Sequence, residues 1–119
     1  MSETIGVVGA GRMGLPIIGH LARKGFRTLA TDLRAAQESE VKARGAEWAA
    51  DEAALGRQCT VILVCVGFDR EVVELFPRLR ARPGSIVAVL STVHPRTVQR
   101  LAREAGEVHV VDSTVCRGG

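Results

Sequence analysis

The run Gly9-Ala10-Gly11-Arg12-Met13-Gly14 restricts the fold most, a G-x-G-x-x-G set between a short apolar stretch and a helical one. Thr4 to Val8 before it reads as a strand, and Met13 to Lys24 after it places Met13, Ile17, Ile18 and Leu21 on one helical stripe that Gly25 stops. In such a turn the glycines have separate tasks: Gly9 permits the tight reversal, Gly11 lets backbone approach a pyrophosphate, and Gly14 lets the helix pack closely on the strand. The helix then aims its free N–H groups and about half a positive charge at the anion. The same glycines also serve as plain turn and packing residues, so the next acid decides. Asp32, 18 residues after Gly14, closes a second apolar run, Thr28 to Thr31. A carboxylate there accepts hydrogen bonds from the adenosine ribose hydroxyls of a dinucleotide. It also repels a 2′-phosphate, which favours NAD, while Arg34 can pair with such a phosphate and keeps NADP open. Gly9, Ala10, Gly11, Arg12, Met13, Gly14, Asp32, Leu33 and Arg34 are thus the candidate cofactor contacts. A helix N-cap remains the other role for Asp32, and a solvent-facing position the other for Arg12.

Three further runs rich in Val and Ile read as strands: Val61 to Val66, Ile86 to Leu90 and Val108 to Val111, with a short one at Glu47 to Ala49. Their continuous apolarity is what a parallel strand covered on both faces requires, whereas a sandwich strand would alternate. Helices are expected over Arg34 to Arg44, Asp51 to Arg57, Asp69 to Ala81 and Pro95 to Glu104, with Asp51 and Asp69 as N-caps. Strands alternating with helices predict an α/β Rossmann-type doubly wound parallel sheet of about six strands, helices on both faces, in one domain over residues 1–119. The last strand stands with no helix after it, which leaves one sheet face less covered and points to a domain that is cut short or completed by a partner.

A formal charge of +3 invites a nucleic-acid partner, but the basic residues are interleaved with acids, and Phe26, Trp48, Phe68 and Phe76 are the only aromatics. Neither a phosphate-tracking block nor a stacking platform results. No apolar run approaches the ~20 residues of a membrane span, and the N-terminus lacks a signal-peptide pattern. Cys59, Cys65 and Cys116 have no metal-ligand spacing, and their odd number fits a reducing, cytoplasmic setting.

Four stretches together resemble the N-terminal half of the β-hydroxyacid dehydrogenase family, which includes 3-hydroxyisobutyrate dehydrogenase and tartronate semialdehyde reductase and is related to 6-phosphogluconate dehydrogenase. They are Ile5 to Pro16, with the Met-Gly-x-Pro extension of the glycine turn; Cys59 to Val66 with Gly67-Phe68; Ser91-Thr92-Val93-His94-Pro95; and Asp112-Ser113-Thr114-Val115-Cys116-Arg117-Gly118. The resemblance implies that Val66, Gly67 and Phe68 lie along the adenosine and ribose side of the cofactor. It implies that Thr92 binds near the nicotinamide, and that Ser91, Cys116, Arg117 and Gly118 meet a small carboxylic-acid substrate. Taken alone, Ser91-Thr92 is a turn that opens the next helix, and His94 is a loop histidine for which a proton-shuttle role competes with simple exposure. Cys116 and Arg117 stand where the family has serine and glycine. A guanidinium there suits a different or larger acid.

The family's proton-handling lysine lies in an all-helical C-terminal domain, and the whole protein is implied to be a homo-oligomer. The lysines of this chain are Lys24 and Lys42, both on expected crossover helices. Without an acid/base group, hydride transfer from an alcohol has nothing to take the hydroxyl proton. The expectation is therefore a domain that binds cofactor and does not turn over by itself, its catalytic residues elsewhere. A stand-alone nucleotide-binding module and an NADPH-dependent imine or aldehyde reductase domain are the competing expectations.

Overall fold

The computed structural model describes residues 3–66, 69–90 and 93–112. Its elements run β1 (Thr4–Val8), α1 (Gly14–Arg23), β2 (Arg27–Thr31), α2 (Gln37–Ala43), β3 (Glu47–Trp48), α3 (Glu52–Gln58), β4 (Val61–Val64), α4 (Asp69–Leu79), β5 (Ile86–Val89), α5 (Pro95–Glu104) and β6 (His109–Asp112). All six strands pair in parallel in the order β3-β2-β1-β4-β5-β6. The chain builds outward from β1 in one direction, then returns to β1's other side at β4. That reversal opens a crevice at the strand C-termini, the usual ligand position in this architecture.

Alternation along each strand sorts the apolar residues into two cores. Val8, Leu29, Ile62, Val64, Val87 and Val89 pack with Leu55 of α3, Leu75 and Leu79 of α4, and Val98 and Leu101 of α5. Their neighbours Val7 and Ala30, with Leu63 and Cys65, face the other way onto Ile18 of α1 and Val41 of α2. The unbroken apolarity of β4 is thus explained: both its faces are in contact with helices. Through the register, Ile86 and Val111 share the α1/α2 face, and those helices sit over β1 and β2 instead. Both side chains are about two-fifths exposed, at 40% and 42%.

Several boundaries differ from expectation, each for a tertiary reason. The helix expected from Arg34 begins at Gln37, because the Asp32 carboxylate holds the Arg34 N–H at 2.8 Å in a local turn. Strand β4 stops at Val64 rather than Val66. Its neighbour β1 turns away at Gly9, and Cys65 N–H makes the last bond, to Val8 carbonyl at 2.8 Å. Helix α4 ends at Leu79 rather than Ala81, with Arg80 at a φ of +46° just beyond. Strand β6 starts one residue late because Val108 N–H is engaged in a turn with Ala105 carbonyl. Asp51 caps α3 as expected, accepting from Ala54 N–H at 2.8 Å. The capping role expected of Asp69 rests on a side chain outside the description.

Candidate functional site

The C-terminal ends of β1, β2 and β4 surround a cleft of about 380 Å³ lined by Val8, Gly9, Gly11, Asp32, Leu33, Arg34, Cys65 and Val66, and closed on the far side by α3 and α4. That volume is in the range of small-molecule sites. At its floor Gly9 has a φ of +108°, and a Cβ there would stand 2.3 Å from Cys65 carbonyl oxygen. Only glycine permits this turn. Gly14 lies where helix meets strand: a Cβ would come within 1.7 Å of Gly9 carbonyl oxygen, so any side chain would push α1 off β1. Gly11 is open by comparison. The nearest atom to a Cβ there is the Arg34 guanidinium at 3.3 Å, the far end of a flexible side chain.

The start of α1 is suited to an anion. Its N-cap residue, Met13, makes no side-chain capping bond, and the first turn holds no acidic residue. Neither a built-in cap nor a built-in carboxylate occupies the positive end of this ten-residue helix. The residues present therefore fit a pyrophosphate approaching over Gly11.

Asp32 follows directly on β2 and is the pivot of the site. Its Oδ2 accepts from Ala10 N–H at 2.7 Å and from the Arg34 guanidinium at 3.1 Å. Its Oδ1 accepts from Arg34 N–H at 2.8 Å and Arg34 Nε at 3.0 Å. Burial alone would raise its pKa, but the bonds from the Arg34 side chain, Arg34 N–H and Ala10 N–H outweigh burial, and the carboxyl is held below the ordinary range. A firmly ionised acceptor beside the glycine turn is what ribose recognition asks for.

Of the residues singled out in the sequence, Gly9, Gly11, Asp32, Leu33, Arg34 and Val66 line one cleft. Ala10 does not line it; its N–H serves Asp32 and its carbonyl accepts from the Gln37 side-chain amide. Arg12 is exposed and, like Met13 and Gly14, is not among the cleft-lining residues. Gly67, Phe68, Ser91, Thr92, Cys116, Arg117 and Gly118 lie outside the described residues. His94 caps α5, its Nδ1 accepting from Arg96 N–H at 3.1 Å, a structural use that the shuttle role did not anticipate.

Sequence reasoning missed the far wall. Glu71, Glu74, Leu75 and Arg78 of α4 and Glu52 of α3 all line the cleft. The α4 set follows i, i+3, i+4, i+7 spacing, which marks one helix face and was the available signal. Gln37 was also missed, since nothing local marks a glutamine that reaches back 27 residues to the glycine turn.

Known proteins share this fold. Residues 4–119 match the family model described as the NAD binding domain of 6-phosphogluconate dehydrogenase. An uncharacterized oxidoreductase, YkwC, of Bacillus subtilis is 25% identical over 125 residues, spanning 99% of this chain and 43% of that protein. The solved 3-hydroxyisobutyrate dehydrogenase of Salmonella typhimurium superposes with a TM-score of 0.87 at 26% identity, over 98% of this chain and 43% of that one. That of Mycobacterium tuberculosis, solved with L-serine, gives 0.90 at 21%, over 99% and 42%. The chain thus spans about two-fifths of the length of the relatives it matches. With its strand order and its glycine turn in place, the chain belongs to the family of the NAD binding domain of 6-phosphogluconate dehydrogenase.

Proposed function

We propose that these 119 residues bind the dinucleotide for an oxidoreductase that moves a hydride between NAD(P) and a small 3-hydroxy acid. The observation that carries the cofactor half is the convergence of Gly9, Gly11 and Asp32 at the ends of β1 and β2, with an uncapped α1 behind them. When bound, the cofactor supplies the hydride chemistry. The residues of this chain bind and orient it: the backbone at Gly11 and the start of α1 meet the pyrophosphate, Asp32 the ribose, and Leu33 and Val66 the apolar faces. The acid substrate is supported by the 3-hydroxyisobutyrate dehydrogenase from Salmonella typhimurium, the relative at 26% identity; its binding falls to Ser91, Cys116, Arg117 and Gly118, with Thr92 beside the nicotinamide.

The same proposal holds that the isolated 119 residues bind without turning over. Lys24 and Lys42 are the chain's lysines, the first following α1 and the second on α2, and neither lines the cleft. Among the described residues no group of three or more His, Cys, Asp or Glu side chains stands close enough to hold a metal ion. No helix of theirs is long and apolar enough to cross a membrane. A cytoplasmic whole protein that assembles as a homo-oligomer completes the proposal.

The test is a calorimetric titration of the chain with NAD and, separately, NADP, repeated on Asp32→Ala. Saturable NAD binding that weakens about tenfold or more in the variant is expected, since a charge-assisted bond is lost. Silence with both dinucleotides on folded chain would overturn the reading. Incubated with NAD and 3-hydroxyisobutyrate, the chain is expected to produce no NADH.

A further inference from the structure

The following rests on the cofactor reading above. Two consecutive peptide units of the glycine turn are held by side chains from other elements. The unit joining Gly9 to Ala10 is held through its N–H, which donates to Asp32 at 2.7 Å. The unit joining Ala10 to Gly11 is held through its carbonyl, which accepts from the side-chain amide of Gln37 at the start of α2. In a planar trans peptide the N–H points opposite to the carbonyl, so the Gly11 N–H faces away from Gln37. Gly11 lines the cleft and Gln37 does not. The bond to Gln37 therefore draws the Ala10 carbonyl out of the cleft and leaves the Gly11 N–H turned toward it. Among the described residues that N–H meets no acceptor.

The backbone by itself does not secure this orientation. Turning the Ala10–Gly11 unit over changes chiefly ψ of Ala10 and φ of Gly11, and glycine adopts positive φ about as readily as negative. Gly11 does not have a positive φ in the fold. The glycine that lets a phosphate come close is thus also a residue at which the peptide can flip. A flipped unit would set the Ala10 carbonyl oxygen against the phosphate, an acceptor facing an anion. The bond from Leu15 N–H to Gly11 carbonyl, 2.9 Å, holds only the next peptide unit. Gln37 holds the one in question.

We propose that Gln37 is a positioning residue for the pyrophosphate: without touching the ligand, it selects the peptide orientation in which Gly11 donates to a phosphate oxygen. What it contributes is its N–H donor, not its bulk. Ligands that carry the diphosphate depend on it, and the nucleoside part, met by Asp32, Leu33 and Val66, does not.

The experiment compares wild type with three variants of the 119-residue chain, their fold checked by circular dichroism. Gln37→Met keeps the length without the donor, Gln37→Glu puts an acceptor in its place, and Gln37→Lys keeps a donor. NAD and ADP are titrated calorimetrically, and adenosine by shifts of the protein amide signals. Expected is NAD and ADP binding weakened about fivefold in Gln37→Met, as for one neutral hydrogen bond, weaker still in Gln37→Glu, and near wild type in Gln37→Lys. Adenosine binding stays the same in all four. At saturating NAD the Gly11 amide proton moves downfield in wild type and Gln37→Lys but not in Gln37→Met. Equal weakening of adenosine and ADP, unchanged NAD binding in Gln37→Met, or the same Gly11 shift there as in wild type would overturn the positioning role. Loss of the fold in both Gln37→Met and Gln37→Glu would overturn it too, leaving Gln37 a residue of the fold alone. If wild type binds neither NAD nor ADP, the cofactor reading fails and this role with it; wild-type binding with the wrong variant pattern removes this role only.

Discussion

At the scale of single residues the site depends on one carboxylate with two duties. Asp32, the acceptor proposed for a ribose, also holds the glycine turn in shape through Ala10 N–H, and Gln37 braces the same residue by donating to its carbonyl. Its ionised form is favoured in the fold, so the sign of its pH effect is set: the contribution to stability is present above the ordinary aspartate range, near pH 4, and is lost as pH falls through the lowered folded value. Urea unfolding followed from about pH 6 to about pH 2.5 is expected to show stability falling below about pH 4, with a shallower fall in Asp32→Asn. An identical acid limb in the two proteins would contradict this account. The glycine turn and Asp32 were legible in the sequence because their signals are local. Arg34 was legible only as a possible phosphate partner, and its closure onto Asp32 needed atomic positions.

At the scale of elements, caps and cores carry different weights. Asp51 caps α3 at an exposed end, and Asp51→Ala is expected to cost about 1 kcal/mol. Ile18, fully buried on α1 in the core shared with Val7, Ala30 and Val41, is expected to cost about 2–5 kcal/mol when cut to alanine, because the rigid β1 floor cannot collapse into the void. Denaturant melts of the two variants rank them; equal losses would contradict the packing argument. Element existence followed from pattern: the expected strands and helices all form, Pro95 to Glu104 with the bounds predicted. Element ends did not. Where β4 stops depends on β1 turning away, and where α2 starts depends on Asp32, neither of which is a property of the segment itself.

At the scale of the whole molecule, one sheet separates two cores, with the Cys59 thiol buried in one and the Cys65 thiol half-buried against the other, beside the cleft. Burial pushes both Cys59 and Cys65 up to about 11. Neutral thiols are thus favoured in the fold, so stability is intact below the ordinary thiol pKa and falls as pH rises from about 9 toward 11. Alkaline unfolding curves check this, together with slow modification of the buried Cys59 thiol in the folded chain at neutral pH; reaction of Cys59 as fast as in urea would contradict it. The two cores also explain what pattern alone could and could not reveal. The apolar runs, the glycine spacing and the acid after β2 determined by themselves a parallel sheet with a dinucleotide turn, because each is a short-range choice of backbone or burial. The tertiary structure alone decided that α4 supplies the far wall through Glu71, Glu74 and Arg78, that Gln37 braces the turn, and that Arg34 closes Asp32. Those outcomes depend on side chains from separate elements meeting across a crevice, and only the completed packing of the sheet brings them within reach of one another.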